Sequence, residues 1–215
     1  MRMITGQQVA DGGLAGWVHL GNGLYTRVVV ADFAEGLAFV NAVGAAAQAA
    51  RHHPDVSLYG THVDIAFVSR DVVGVREQDV TLARTISDLA DAAGLMLDGT
   101  SVSRINLALD TPARKDVLPF WREFLAFENR PGTDRVVRDP AGRLPSVWFQ
   151  PSGRDEPRQR WHMDVWLDPS QVEARINGCL AAGGRVVDDR HAPSFWVLAD
   201  ADGNRSCLAT WQGRD

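Results

Sequence analysis

The sequence predicts an α+β chain in two units, and three observations carry that prediction. Apolar residues recur at helical spacing beside short runs that alternate at period two. A polar, glycine-containing join, Leu97-Asp98-Gly99-Thr100-Ser101, separates two different orders of elements. After that join the order strand, helix, strands occurs twice, a weak internal repeat. The boundary is placed there, with units at 1–98 and 103–213.

The first unit opens with a loop around Gly12-Gly13 and a strand pair near 17–20 and 24–30, with Gly21-Asn22-Gly23 as the turn. Asp32 is the expected N-cap of a helix whose Phe33, Leu37, Val40 and Ala47 recur at helical spacing toward Arg51. His52 and His53 follow directly. Pro54 has no N–H and biases His53 toward extended backbone, so the pair falls at a helix-to-strand corner. From 63 to 69, Val63, Ile65 and Phe67 alternate against His62, Asp64 and Ala66, a strand with one buried face. Glu77 and Asp79 put negative charge on the first turn of a second helix, whose Leu82, Ile86, Leu89 and Ala93 form an apolar stripe ending at Gly94. Asp79 reads as a stabiliser of that helix start rather than a proton carrier. Two helices against one antiparallel sheet form an α+β layer.

In the second unit a strand is expected at 105–109, a helix at 115–127 and short strands ending at 147–150. The order then repeats: a strand at 162–167, a helix at 169–182, and strands around 185–187, 195–198 and 206–210. The best local match sets Ile105-Asn106-Leu107-Ala108-Leu109-Asp110 against Met163-Asp164-Val165-Trp166-Leu167-Asp168. The tryptophans at 148, 161, 166, 196 and 211 should mostly fill this unit's core.

Composition narrows the function classes. The net charge of −5 comes without a basic block, so nucleic acid is not an expected partner. No apolar run approaches the roughly 20 residues that span a bilayer, and Met1-Arg2-Met3-Ile4-Thr5 lacks the apolar core of a secretory signal. A cytoplasmic protein without a membrane partner is expected. Cys179 and Cys207, widely spaced among apolar residues, suit reduced, packed thiols. The stretch Arg51-His52-His53-Pro54-Asp55 is the chemical feature, because imidazole both gives and takes a proton near neutral pH.

Over nearly its full length, the first unit resembles the pterin-4a-carbinolamine dehydratases. The resemblance rests on Asp32-Phe33 with Leu37 and Phe39, His52-His53-Pro54, Gly74 with Val75, and Asp79 with Leu82-Ala83. It implies a lyase that eliminates water from a 4a-hydroxytetrahydropterin to give the quinonoid dihydropterin, with the pterin as substrate and no cofactor. It assigns catalysis to His52 and His53 and substrate contacts to Gln48, Pro54, Asp55 and Arg70. The family's third histidine falls on Arg70 and its glutamate on Gln48. Arginine stays protonated, so Arg70 can donate hydrogen bonds but not shuttle a proton.

The second unit resembles the glyoxalase-like domains of the vicinal oxygen chelate superfamily, whose paired βαβββ modules curl around a cleft. The matching residues are Phe120-Trp121 with Leu125, Trp161-His162-Met163-Asp164-Val165, Gly183-Gly184-Arg185-Val186, and 196–200 running into Asp202-Gly203-Asn204 and Cys207. By this resemblance the ligand positions of metal-using members hold Arg104, Phe149 or Gln150, His162 and Cys207. One good ligand, with an arginine at another corner, implies no bound metal. Arg104, Gln150, His162 and Cys207 would instead line a cleft for a small anionic or aromatic ligand. The alternative to a dehydratase is therefore a non-catalytic small-molecule-binding protein that uses this cleft. Unpaired edge strands in both units point to a homodimer.

Overall fold

The structure is a computed structural model and describes residues 3–68, 74–154, 159–199, 201 and 203–214. Arg70, Asp200 and Asp202, named above, lie outside the described residues. Among the described residues no helix is long and apolar enough to cross a membrane.

The chain begins with β1 (Met3–Ile4) and a short helix α1 (Gly6–Asp11), an element not expected from the sequence, ahead of the expected turn at Gly12-Gly13. A reciprocal cap forms it: Gln8 N–H donates to Thr5 Oγ1 at 3.2 Å and Thr5 N–H to Gln8 Oε1 at 3.0 Å. The hairpin β2 (Val18–Leu20) and β3 (Gly23–Val29) turns at Gly21, whose φ of 57° suits glycine. Helix α2 (Phe33–Ala50) starts at Asp32, which accepts from Glu35 N–H at 2.9 Å as expected.

The buried face of α2 is the expected one at Ala47 and, in part, at Val40, but not at Phe33 and Leu37. Gly36, Phe39, Val43 and Ala47 are buried, while Phe33 and Leu37 are exposed. A side chain at Gly36 would stand 2.6 Å from Leu58 Cδ1, so the helix rests on the sheet through its glycine, and that contact turns Phe33 and Leu37 outward.

After α2 come β4 (Asp55–Leu58), β5 (His62–Val68), β6 (Val75–Arg76), α3 (Glu77–Ala92) and β7 (Met96–Leu97). The sheet order is β2-β3-β5-β4, with β7 also paired to β3 and β6 paired to β1. Val63, Ile65 and Phe67 point into the core beneath the helices, in the expected alternation. In α3 the buried stripe is Val80, Leu82, Ala83, Ile86 and Ala90, while Ala93 is exposed beyond the helix end.

The chain leaves α2 through Arg51, whose φ of 50° is left-handed, and His52 N–H returns to Ala47 O at 3.1 Å. A residue with a Cβ is costly there, by about 1 kcal/mol. Arg51→Gly should therefore stabilise the chain by about 1 kcal/mol, seen as a higher urea midpoint at unchanged slope. A lower midpoint would show that the Arg51 side chain itself contributes.

A 3-10 turn at Gly99–Ser101 leads to the second sheet. Its first module is β8 (Arg104–Thr111), α4 (Arg114–Phe124), β9 (Glu128–Asn129), β10 (Val136–Arg138) and β11 (Val147–Pro151). Its second is β12 (Trp161–Trp166), α5 (Val172–Ala181), β13 (Arg185–Asp188), β14 (Phe195–Ala199) and β15 (Arg205–Ala209). The order β13-β14-β15-β12-β8-β11-β10-β9 makes the repeat visible. In each module the first strand runs parallel to the last, β8 beside β11 and β12 beside β15, and β8 and β12 join antiparallel. Helix α4 covers Leu107, Leu109, Val147 and Phe149, and α5 covers Val165, Leu198 and Leu208. The opposite face of the sheet, bearing Asp110, Gln150, His162 and Cys207, is left to form a cleft.

Candidate functional site

Two sites come out of this arrangement. The first lies where the end of α2 meets the start of α3. His52 is held on three sides: Nε2 lies 2.6 Å from Asp79 Oδ1, Nδ1 lies 3.1 Å from Gln78 Nε2, and the ring stacks on Phe67 at 5.6 Å and 9°. The Gln78 NH2 group faces Nδ1 and donates to it, so Nδ1 accepts and Nε2 carries the hydrogen toward the carboxylate. Asp79 is buried, and its other oxygen accepts from Arg76 N–H at 2.6 Å. It therefore does what the sequence suggested, bracing the start of α3, and also fixes the tautomer of His52.

His53 is exposed beside it, with Nε2 3.3 Å from Gln48 Oε1. The two histidines thus differ: one is braced on both ring nitrogens, the other reaches solvent and is steered by Gln48 alone among the described contacts. Pro54 and Asp55 diverge from this pair. They line a cavity against Tyr25 and Asp64, on the face of the sheet away from the helices. Gln78 was missed by sequence reading, because its reach to His52 depends on how two helix ends meet.

The second site is the cleft of the second sheet, a cavity of about 600 Å3 that brings Gln150, His162 and Cys207 together. Arg104 is not with them. It lies over the Tyr25 ring at 5.3 Å, at the junction with the first sheet, so the expected cleft set is corrected to exclude it. The strand pairing explains this: Arg104 faces Trp166, whereas His162 faces Ala108, four residues farther along β8.

His162 stands between two carboxylates, Nδ1 3.5 Å from Asp110 Oδ2 and Nε2 3.6 Å from Asp164 Oδ1. Trp148 N–H donates to Asp164 Oδ2 at 2.9 Å. Burial pushes the Asp110 carboxyl up, against the pull of His162, and its Oδ1 is buried without a hydrogen-bond partner. Asp164 was legible in principle, since it shares the strand face of His162 two residues on.

With Arg104 elsewhere, its charge no longer argues against a cation in the cleft. His162, Asp164 and Cys207 offer nitrogen, oxygen and sulfur donors within 4.8 Å of one another, a set that fits a zinc-like ion in kind and number. Such an ion would supply Lewis acidity to a ligand in the cleft.

Burial, reinforced by the Asp164 carboxylate, pushes the Cys207 thiol up to about 12. In the unfolded chain the thiol titrates near 9.0, so the folded state keeps a proton that the unfolded state loses. This contribution to stability is whole below pH 9 and is lost as pH rises toward 12. In the chelator-treated folded chain at pH 8, iodoacetamide should leave Cys207 unmodified, and denaturant should expose it. Labelling of Cys207 in the folded state would contradict that protection.

Fold and sites together define a helix-covered antiparallel sheet with a histidine–carboxylate pair, followed by paired βαβββ modules around a cleft. Residues 4–89 match the family model for pterin 4 alpha carbinolamine dehydratase, and 106–209 match that for a glyoxalase-like domain. A protein of Thermomicrobium roseum provisionally named pterin-4-alpha-carbinolamine dehydratase is 36% identical over 77 residues, which cover 36% of this chain and 83% of that protein. The chain belongs to the pterin-4a-carbinolamine dehydratase family through its first unit and carries a glyoxalase-like domain in its second.

Among solved structures, a transcriptional coactivator/pterin dehydratase from Brucella Melitensis matches at TM-score 0.39 and 22% identity, covering 41% of this chain and 99% of that one. A glyoxalase/bleomycin resistance protein/dioxygenase superfamily member from Vibrio splendidus matches at TM-score 0.35 and 12% identity, covering 51% of this chain and 99% of that one.

Proposed function

We propose that the first unit dehydrates a 4a-hydroxytetrahydropterin to the quinonoid dihydropterin. The observation that carries this reading is the His52–Asp79 pair at 2.6 Å with His53 exposed beside it. Elimination needs an acid at the departing hydroxyl and a base at a ring N–H, and two imidazoles of unlike surroundings divide those roles. His52 takes the ring proton at Nδ1 once Gln78 swings away, and Asp79 faces the imidazolium that forms. His53, steered by Gln48, gives its proton to the hydroxyl, which leaves as water. One imidazole ends protonated and the other neutral, and exchange with solvent resets both.

The test is the rate of quinonoid dihydropterin formation from freshly generated 4a-hydroxytetrahydropterin, compared with buffer alone. A rate well above buffer supports the reading. A rate equal to buffer rejects it and favours the second reading, a small-molecule-binding protein. The observation behind that second reading is the 600 Å3 cleft itself, whose lining brings Asp110, Gln150, His162 and Cys207 together as polar groups able to hold a small ligand.

A further inference from the structure

In the cleft of the second sheet the donor atoms are not only close together but already aimed. His162 and Asp164 stand two residues apart on β12 and share one face of that strand. Cys207 lies across from Asp164 in the parallel β12–β15 pair. The three donor atoms fall within 4.8 Å of one another, and all three residues are half-buried.

A neutral imidazole has one N–H, yet His162 faces two carboxylates, with Nδ1 3.5 Å from Asp110 Oδ2 and Nε2 3.6 Å from Asp164 Oδ1. Asp164 already receives the Trp148 N–H at 2.9 Å and the Cys207 thiol. The ring hydrogen therefore belongs on the side of Asp110, on β8. The Nε2 lone pair is then left facing a carboxylate oxygen, and the two call for a cation between them.

The spacing suits a metal ion. Bonds of about 2.0–2.2 Å put a nitrogen and an oxygen on neighbouring tetrahedral corners roughly 3.4 Å apart. Asp164 is set for a single bond, because Trp148 holds its Oδ2 and leaves Oδ1 toward His162. A thiolate and a carboxylate together balance the charge of a divalent ion.

We propose that His162 Nε2, Asp164 Oδ1 and Cys207 Sγ bind one zinc ion, with Asp110 as the positioning residue that holds the His162 ring and the fourth corner turned to the cavity that His162 and Cys207 line. Asp164 is none of the positions to which the glyoxalase resemblance assigns ligands, and all three donors come from the second module. Sulfur and imidazole select zinc over magnesium, calcium and manganese, which take oxygen donors. Without an ion, burial and Asp164 keep the thiol protonated; a coordinating ion displaces that proton to the buffer.

Cobalt(II) is the probe, titrated into the chelator-treated full chain at neutral pH, because a thiolate bound to cobalt gives a charge-transfer band in the near ultraviolet. The band should saturate at one cobalt per chain, vanish on adding zinc, and withstand about a hundredfold excess of magnesium or manganese. Cys207→Ser should abolish it, whereas Cys179→Ser, which changes the thiol on α5, should leave it intact. If Cys207→Ser fails to fold, Cys207→Ala carries the same expectation. Asp110→Ala should weaken cobalt binding about 10–100-fold, and Asp110→Asn, which still offers an oxygen to the His162 Nδ1–H, should recover most of that loss. Absence of the band, its loss to magnesium or manganese, its persistence in a folded Cys207 variant, or undiminished binding by folded Asp110→Ala would each overturn the proposal.

Discussion

His52→Ala should remove most of the rate gain over buffer in dehydration of 4a-hydroxytetrahydropterin, a loss on the order of 100-fold or more, because positioned acid–base groups contribute about 10²–10⁴. The substitution also strips Asp79 Oδ1 of its 2.6 Å partner and Phe67 of its stacked ring. An unsatisfied buried acceptor costs about 1–3 kcal/mol, so lost activity has to be separated from lost fold.

Two companion variants make the separation. His52→Gln can still donate one hydrogen bond to Asp79 but cannot carry a proton, so it should melt closer to wild type than alanine does and be equally inactive. His53→Ala removes an exposed ring with one contact of 3.3 Å, so stability should change by less than about 0.5 kcal/mol while the rate falls. Full activity in His53→Ala would sink its role as the acid.

How much of this was legible in the sequence depends on how local each feature is. Helix α2 was found because Asp32 and the apolar spacing are adjacent signals, and β5 because strict alternation has one reading. The doubled strand–helix–strands order after the polar join was legible, and the two modules of the second sheet share its pairing pattern. Helix α1 was missed although Thr5 and Gln8 stand at capping-box spacing, because six residues are too few for an apolar stripe to show.

At the start of α2, Phe33 and Leu37 were misread for a different reason, while Val40 and Ala47 fall on the core side as expected. Gly36 marks a close approach to Leu58, and that contact is set by a strand not adjacent in sequence. The His52–His53 pair was readable as proton chemistry, but not the asymmetry between its members, which comes from Gln78 and Asp79 on another helix. Arg104 was misplaced by a related error. A shift of four residues along β8 carries a side chain from the cleft to the junction, and only the pairing of β8 with β12 decides which.

The second large effect is expected at Asp79, where the two substitutions should fail in opposite ways. Asp79→Ala leaves both the Arg76 N–H and the His52 Nε2–H without their acceptor, in a residue only 2% exposed, and removes negative charge from the first turn of α3. Breaking a buried pair from one side costs about 3 kcal/mol, so alanine should lower the melting temperature markedly. Asp79→Asn keeps an oxygen for the Arg76 N–H and should stay within about 1 kcal/mol of wild type.

Its amide then faces His52 and donates to Nε2, which drives the ring hydrogen to Nδ1, the atom assigned to take the substrate proton. Gln78 can accommodate that tautomer by turning its amide. The asparagine variant should therefore be folded and slow, by about 10²-fold or more, as expected of a base held in the wrong tautomer. If Asp79→Asn turns over at the wild-type rate, Asp79 is a helix-start residue only, and His52 needs no carboxylate to work.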